Sequence, residues 1–179
     1  MRVISGRLGG RTFSSPGNDR THPMSDKIRG ALFNALGNIE GLRVLDAFAG
    51  SGAISYEAVS RGALYAIALD TDVSAVTTIR KNIEQLAIGD KISVYKANAV
   101  SWTEASSPRQ LFDVVICDPP YNDVQLPLLR TISLSTIMGG ILVVSLPPSS
   151  QPDFDADFDL LQEKAYGDAR LYFYRRVAC

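Results

Sequence analysis

The chain has 179 residues, 46% of them hydrophobic and 21% charged, with a formal net charge of −1. These values describe one ordinary globular domain with enough chain to bury a substantial core, and no apolar run approaches the roughly 20 residues of a membrane span. Cys117 and Cys179 are too few for a disulfide framework, a single histidine leaves no zinc site, and the start lacks the apolar segment of a signal peptide, so a reducing cytoplasm is expected.

The charge is unevenly spread. Residues 1–30 carry Arg2, Arg7, Arg11, Arg20, Lys27 and Arg29 against Asp19 and Asp26, which leaves the rest of the chain acidic. A basic arm on an acidic body is a footprint for docking a polyanion. Within it, Arg2 to Phe13 reads as two short strands turning near Gly9-Gly10, and Ser14 to Thr21 as a turn-rich connector, so residues 1–21 are expected to form the arm. A helix then starts near Ser25 or Asp26, with Ile28, Ala31, Leu32, Ala35 and Leu36 as its apolar stripe and Gly37 as its stop. Lys27 and Arg29 lie off that stripe and are expected to face outward.

Arg43 to Phe48 reads as the first central strand, followed by Ala49-Gly50-Ser51-Gly52 and a helix through Arg61 that Gly62 can end. Glycines between a parallel strand and a helix let a ligand approach the backbone and meet the helix N-terminus. The loop is not a full dinucleotide fingerprint, because Ser55 stands where a third glycine belongs. Ala63 to Leu69 is a second strand ending in Asp70, a carboxylate placed to accept hydrogen bonds from ribose hydroxyls. A helix follows from Asp72 with Val76, Ile79, Ile83 and Leu86 on one face. Ile92 to Lys96 is a third strand ending near Asn98, and Ala99 to Ser106 a short helix.

The fourth strand, Val114 to Cys117, runs into Asp118-Pro119-Pro120-Tyr121. The prolines have fixed φ and no N–H, so the strand stops there in one stiff shape. A carboxylate, rigid carbonyls and a ring are thereby held at the carboxyl end of a strand, where open α/β sheets bind ligands. Leu128 to Ile137 is weakly helical and Gly140 to Leu146 a fifth strand. Phe158 to Tyr166 and Arg170 to Val177 read as a closing antiparallel pair around Gly167-Asp168. The Asp153, Asp155, Asp157, Asp159 run reads as a solvated loop or edge. Alternating strands and helices imply a doubly wound, mostly parallel sheet.

Val44-Leu45-Asp46-Ala47-Phe48-Ala49-Gly50-Ser51-Gly52 with Asp118-Pro119-Pro120-Tyr121 resembles an S-adenosylmethionine-dependent amino-methyltransferase. The whole chain resembles the RsmD family, which methylates the N2 amine of a guanine in bacterial 16S ribosomal RNA. The carrying stretches are Arg2 to Gly6, Ser25 to Asn34, Glu57-Ala58-Val59-Ser60-Arg61-Gly62-Ala63 and Tyr166-Gly167-Asp168. The chain departs from that family at His22-Pro23-Met24, where Arg-Pro-Thr is usual, and at Asn98, where the family favours Asp.

The resemblance implies a Rossmann-like class I methyltransferase fold over residues 22–179, with the β-hairpin arm before it and the antiparallel pair at its end. It implies S-adenosylmethionine as cofactor, met by Asp46, Phe48, Gly50, Ser51, Gly52, Asp70, Asn98 and Ala99, with the Asn98 carbonyl toward the adenine amino group. It implies catalysis by Asp118, Pro119, Pro120 and Tyr121, no metal, and a monomer acting on ribosomal RNA or the small ribosomal subunit through Arg2, Arg7, Arg11, Arg20, Lys27 and Arg29. An exocyclic amine is a poor nucleophile because its lone pair is delocalised into the base. Asp118 and the Pro119 carbonyl would accept its hydrogens, and Tyr121 would stack on the extruded base. Cys117 is read as core packing. An adenine-N6 DNA methyltransferase shares the tetrapeptide, a nicotinamide-dependent oxidoreductase could use the glycine loop, and a non-catalytic RNA-binding assembly factor would keep the basic arm.

Overall fold

The computed structural model describes residues 1–17, 24–105 and 110–178. Arg20, His22, Ser106 and Cys179, and the connector beyond Gly17, lie outside them.

Among the described residues, seven strands and five α-helices follow one another along the chain. The helices are α1 Asp26–Leu36, α2 Ala53–Ser60, α3 Val73–Leu86, α4 Ala99–Ala105 and α5 Leu126–Ser133. The strands are β1 Arg43–Asp46, β2 Tyr65–Asp70, β3 Ile92–Lys96, β4 Phe112–Cys117, β5 Thr136–Leu146, β6 Phe158–Tyr166 and β7 Ala169–Arg176. They form one sheet in the order β3-β2-β1-β4-β5-β7-β6. β1 to β5 run parallel, and β7 pairs antiparallel with both β5 and β6. The chain winds outward from β1 to β3, then returns to lay β4 on the other side of β1. That reversal leaves a crevice outside the carboxyl ends of β1 and β4, where ligands bind in sheets of this kind.

Local chemistry explains where the helices begin and end. Ser25 caps α1 by accepting from the Ile28 amide at 3.3 Å, and Gly37 closes it at φ 75°. Asp72 caps α3 through the Ser74 amide at 2.7 Å. Helix α2 is buried on every side, which suits a sequence with no polar face but Ser55, Glu57 and Ser60. The apolar faces of α1, α2 and α3 join one core cluster on one side of the sheet. A second cluster gathers Leu129 and Ile132 of α5, Phe112 and Cys117 of β4, and Tyr172 and Tyr174 of β7.

Three expectations change. The fifth helix starts and ends earlier than Leu128 to Ile137, because Pro127 opens it and Thr136 already belongs to β5, paired with Phe112. Gly140, read as the start of the fifth strand, lies inside it with Gly139, at an irregularity opposite a register shift between Phe112 and Val114. A Cβ on Gly140 would lie 2.9 Å from the Asp113 carbonyl, so glycine is needed for the strands to approach there. The two arm strands shrink to one antiparallel bridge, Arg2 with Thr12.

Candidate active site

The arm is seated on the body. Val3, Leu8 and Phe13 are buried, and Phe13 packs edge-on to the Tyr56 ring with centroids 4.8 Å apart. The backbone amides of Ile4 and Ser5 donate to the two oxygens of buried Glu57 at 2.7 and 3.1 Å. Leu8 donates to Ser60 Oγ at 2.9 Å, and Ser14 exchanges two hydrogen bonds with the Asn82 side chain. The Glu57 to Ala63 motif is thereby explained: Glu57 and Ser60 receive backbone groups of the arm, while Arg61 neutralises Glu57 at 2.7 Å.

The six basic candidates separate. Arg29 corrects the outward reading: it is fully buried, and its guanidinium donates to the Arg2 carbonyl at 2.8 Å and to Asp26 at 2.9 Å. It therefore clamps the arm to α1 and offers no surface to RNA. Arg11 donates to the Leu86 and Gln85 carbonyls, both at 3.1 Å, satisfying the open end of α3. Arg7 and Lys27 are exposed, and Arg2 is exposed beside Asp26 at 3.4 Å.

At the other end of the molecule the glycine loop crosses from β1 to α2. Gly50 and Gly52 adopt φ of 52° and 81°, the left-handed region. A Cβ on Gly52 would lie 2.5 Å from the Tyr56 ring, so only glycine fits. The Gly50 amide donates to Asp70 Oδ2 at 2.7 Å and the Asp72 amide to Asp70 Oδ1 at 2.8 Å. Asp70 thus clips the glycine loop to the end of β2, and each oxygen retains a lone pair for a further donor. Burial, against the backbone bonds from Asp72 and Gly50, leaves its carboxyl above the ordinary value.

Asp46 ends β1 beneath this loop with 1% of its surface exposed. Its Oδ2 accepts from the Ser55 amide at 3.2 Å and the Ser55 hydroxyl at 2.8 Å. Its Oδ1 is buried with no partner. Burial pushes this carboxyl up to about 7, Ser55 opposes the rise, and Asp118 and Asp70 add to it. Ser55, which fails the dinucleotide pattern, is here the hydroxyl that holds Asp46. A serine in the first turn after a strand-ending aspartate was the available signal.

Asp118 follows β4 directly, and burial raises its carboxyl to about 6 against a hydrogen bond from Ser145. Pro119 is buried and Pro120 exposed, and the Pro120 carbonyl closes a turn by accepting from Asp123 at 3.0 Å. The Tyr121 ring remains 38% exposed while its hydroxyl lies 2.8 Å from Ser145 Oγ. Ser145, fully buried on β5, was not singled out from the sequence. Cys117 is a buried free thiol that burial pushes up.

Asn98 is exposed at the start of α4, where its Oδ1 accepts from the Val100 and Ser101 amides at 3.0 and 3.2 Å. Its carbonyl thereby caps the start of the helix. Ala99 is buried beneath it, Ser51 is buried in the loop and Phe48 is half-buried beside it.

The crevice thus gathers Asp46, Asp70 and Asp118 with no basic side chain among their hydrogen-bonding partners in the described residues. A glycine-lined turn and a buried carboxylate oxygen without a donor suit a small cationic ligand.

The profile of the family described as conserved hypothetical protein 95 matches residues 1–175. The putative rRNA methyltransferase YlbH of Bacillus subtilis is 31% identical over 98% of this chain and 99% of its own. Ribosomal RNA small subunit methyltransferase D of Escherichia coli K12 is 32% identical over 99% of this chain and 91% of its own. The solved structure of a putative methyltransferase, YhhF, from Escherichia coli superposes with a TM-score of 0.87 at 28% identity, covering 100% of this chain and 99% of that one.

Proposed function

From a chain that belongs to the conserved hypothetical protein 95 family, the family of the RsmD methyltransferases, we propose an enzyme that transfers a methyl group from S-adenosylmethionine to the N2 amine of a guanine in small-subunit ribosomal RNA in the cytoplasm. One observation carries the reading. The unpartnered Asp46 oxygen, the Gly50–Gly52 turn and the Asp118 to Tyr121 tetrapeptide meet across the β1–β4 crevice of a fold shared with methyltransferases.

S-adenosylmethionine, when bound, supplies an electrophilic methyl group on a sulfonium and carries a second positive charge on its amino group. Asp46 Oδ1 is the natural acceptor for that ammonium, since a buried carboxylate oxygen without a donor is costly until a cation meets it. Gly50 and Gly52 let the loop backbone lie close against the cofactor, and Asp70 holds the loop in place while offering its free lone pairs to ribose hydroxyls. Asp118 accepts the hydrogens of the guanine amine, turns its lone pair outward and offsets the charge that grows on nitrogen. With its carboxyl near 6, Asp118 is ionised at pH 7 yet basic enough to act in proton transfer. The half-exposed Tyr121 ring offers a stacking face for the extruded base, an interaction worth about 1–3 kcal/mol. Docking falls to Arg2, Arg7 and Lys27, since Arg11, also exposed, is engaged by the Leu86 and Gln85 carbonyls and Arg29 is buried.

The test is methyl transfer from labelled S-adenosylmethionine to small-subunit RNA, offered naked and as assembled subunits, and in parallel to duplex DNA, followed by nucleoside analysis. N2-methylguanosine is the expected product. Label found as N6-methyladenine in DNA, or no label with the cofactor bound, overturns the assignment.

A further inference from the structure

We propose that Ser145 is a positioning residue for the methyl-transfer site, joining the Tyr121 hydroxyl and the Asp118 carboxylate into one directional hydrogen-bond chain. The proposal deepens the methyltransferase reading and rests on it for its catalytic consequence.

The sheet register places Ser145. Cys117 pairs with Val144 in the parallel β4–β5 ladder, so the next residues, Asp118 and Ser145, lie side by side at the carboxyl ends of their strands. Ser145 is fully buried, its Oγ is 2.8 Å from Tyr121 Oη, and its hydroxyl acts on the neighbouring Asp118 carboxyl to lower its proton affinity. Proton counting then sets the polarity. An ionised carboxylate only accepts, so Ser145 must spend its single proton on Asp118. Its oxygen can then only accept from Tyr121, whose phenol burial pushes further toward the protonated form. In the proposed chain Tyr121 donates to Ser145 and Ser145 donates to Asp118.

Two consequences follow for the chemistry. The Tyr121 ring is tethered by its far end, which holds its half-exposed face at one angle for the base. The bond from Ser145 in this chain leaves the other lone pairs of Asp118 for the amine and lowers its proton affinity against the burial that raises it. The groups facing Asp118 from neighbouring elements are Asp46 on β1, with Asp70 beyond it on β2, and the neutral thiol of Cys117. Asp168 in the β6–β7 turn acts on Tyr121, and Arg170 is engaged by Glu163 at 2.9 Å. None of these donates to Asp118, so Ser145 is the group whose removal its titration should report.

The experiment compares wild type, Ser145→Ala, Tyr121→Phe and the double variant. In ligand-free protein, carbon-13 NMR of the aspartate carboxyls should show Asp118 titrating about one pH unit higher in Ser145→Ala, the scale of one lost hydrogen bond to a charged group. With cofactor and RNA, that variant should lose about tenfold in kcat with S-adenosylmethionine affinity within about twofold of wild type, a loss on the scale of a misplaced catalytic group. Tyr121→Phe should lower kcat alone but add little in the Ser145→Ala background, because a chain already cut at its middle loses nothing more. An unmoved Asp118 titration in folded Ser145→Ala, or losses that simply multiply, overturns the proposal. A wild-type protein that binds S-adenosylmethionine without methylating ribosomal RNA instead defeats the proposed function, while the NMR titration still decides the role of Ser145.

Discussion

Asp113 and Asp118 lie at opposite ends of β4, and the fold treats them in opposite ways. Asp113 accepts from the Arg43 amide at 2.8 Å and from its guanidinium at 3.0 Å. Burial would raise its carboxyl, but the bonds from Arg43 outweigh burial and hold it below the ordinary value. Asp118 is partly buried and Asp46 at the end of β1 fully so, neither has a cationic partner among the described residues, and burial raises both. β1 and β4 are therefore neutralised where they begin and left anionic where they end. The amino ends are built for stability. The carboxyl ends hold charge that burial makes costly until a cation arrives, the state the proposed cofactor site requires.

The comparison breaks most visibly at Asp118. Asp118→Ala should lower methyl transfer by at least about 100-fold, the scale of losing a general base, while calorimetry still registers S-adenosylmethionine binding. Near-normal turnover would remove the distinction between the two ends.

Asp46→Asn comes next. The amide keeps an acceptor for Ser55 but replaces the open oxygen with a donor, so S-adenosylmethionine affinity should fall by about 10–100-fold. The same change should stabilise the ligand-free protein at pH 8, with about 4 kcal/mol as the ceiling for removing a carboxylate held ionised at such cost. A variant both weaker in binding and less stable would show that Asp46 is structural.

Asp113→Ala is the counterpart. It should cost about 1–3 kcal/mol at pH 7 and leave methyl transfer untouched. The pH dependence runs in opposite directions at the two ends. Asp46 and Asp118, raised in the fold, bind protons more readily folded than unfolded. The ligand-free protein should therefore gain stability as pH falls from about 8 toward about 4, where the unfolded carboxyls also protonate. Asp113, lowered in the fold, contributes stability above about 4 that is lost as pH falls through its folded value. Thermal melts of wild type should thus peak in mild acid. In Asp113→Ala the decline below about pH 4 should weaken.

The smallest effects are expected in the arm, where the same contrast recurs between Arg11 and Arg7. Arg11→Ala should lower stability by about 1 kcal/mol through the uncapped α3 carbonyls, with the salt dependence of RNA binding unchanged. Arg7→Ala and Lys27→Ala should each flatten a log–log salt plot by about 0.7 on single-stranded RNA and leave the melting temperature alone. A slope altered by Arg11 and not by Arg7 would invert the assignment.

Much of the fold and of the site was legible in the chain, since it depends on neighbours within a turn or a strand. Apolar runs marked β1 to β4, Ser25 and Asp72 marked helix starts, and the glycines marked the turn. Asp46, Asp70 and Asp118 fall at strand ends because each ends an apolar run, and a parallel sheet brings such ends together. The tertiary structure decided what those side chains face. Arg29 lies off its helix stripe, but the arm folds back over that face and buries it against the Arg2 carbonyl. Arg11 finds carbonyls of α3 far along the chain, and no local pattern announces them. Ser55 and Ser145 are ordinary small residues in sequence. They became parts of the site only when strand and helix packing set their hydroxyls against buried carboxylates, where a missing hydrogen bond is costly.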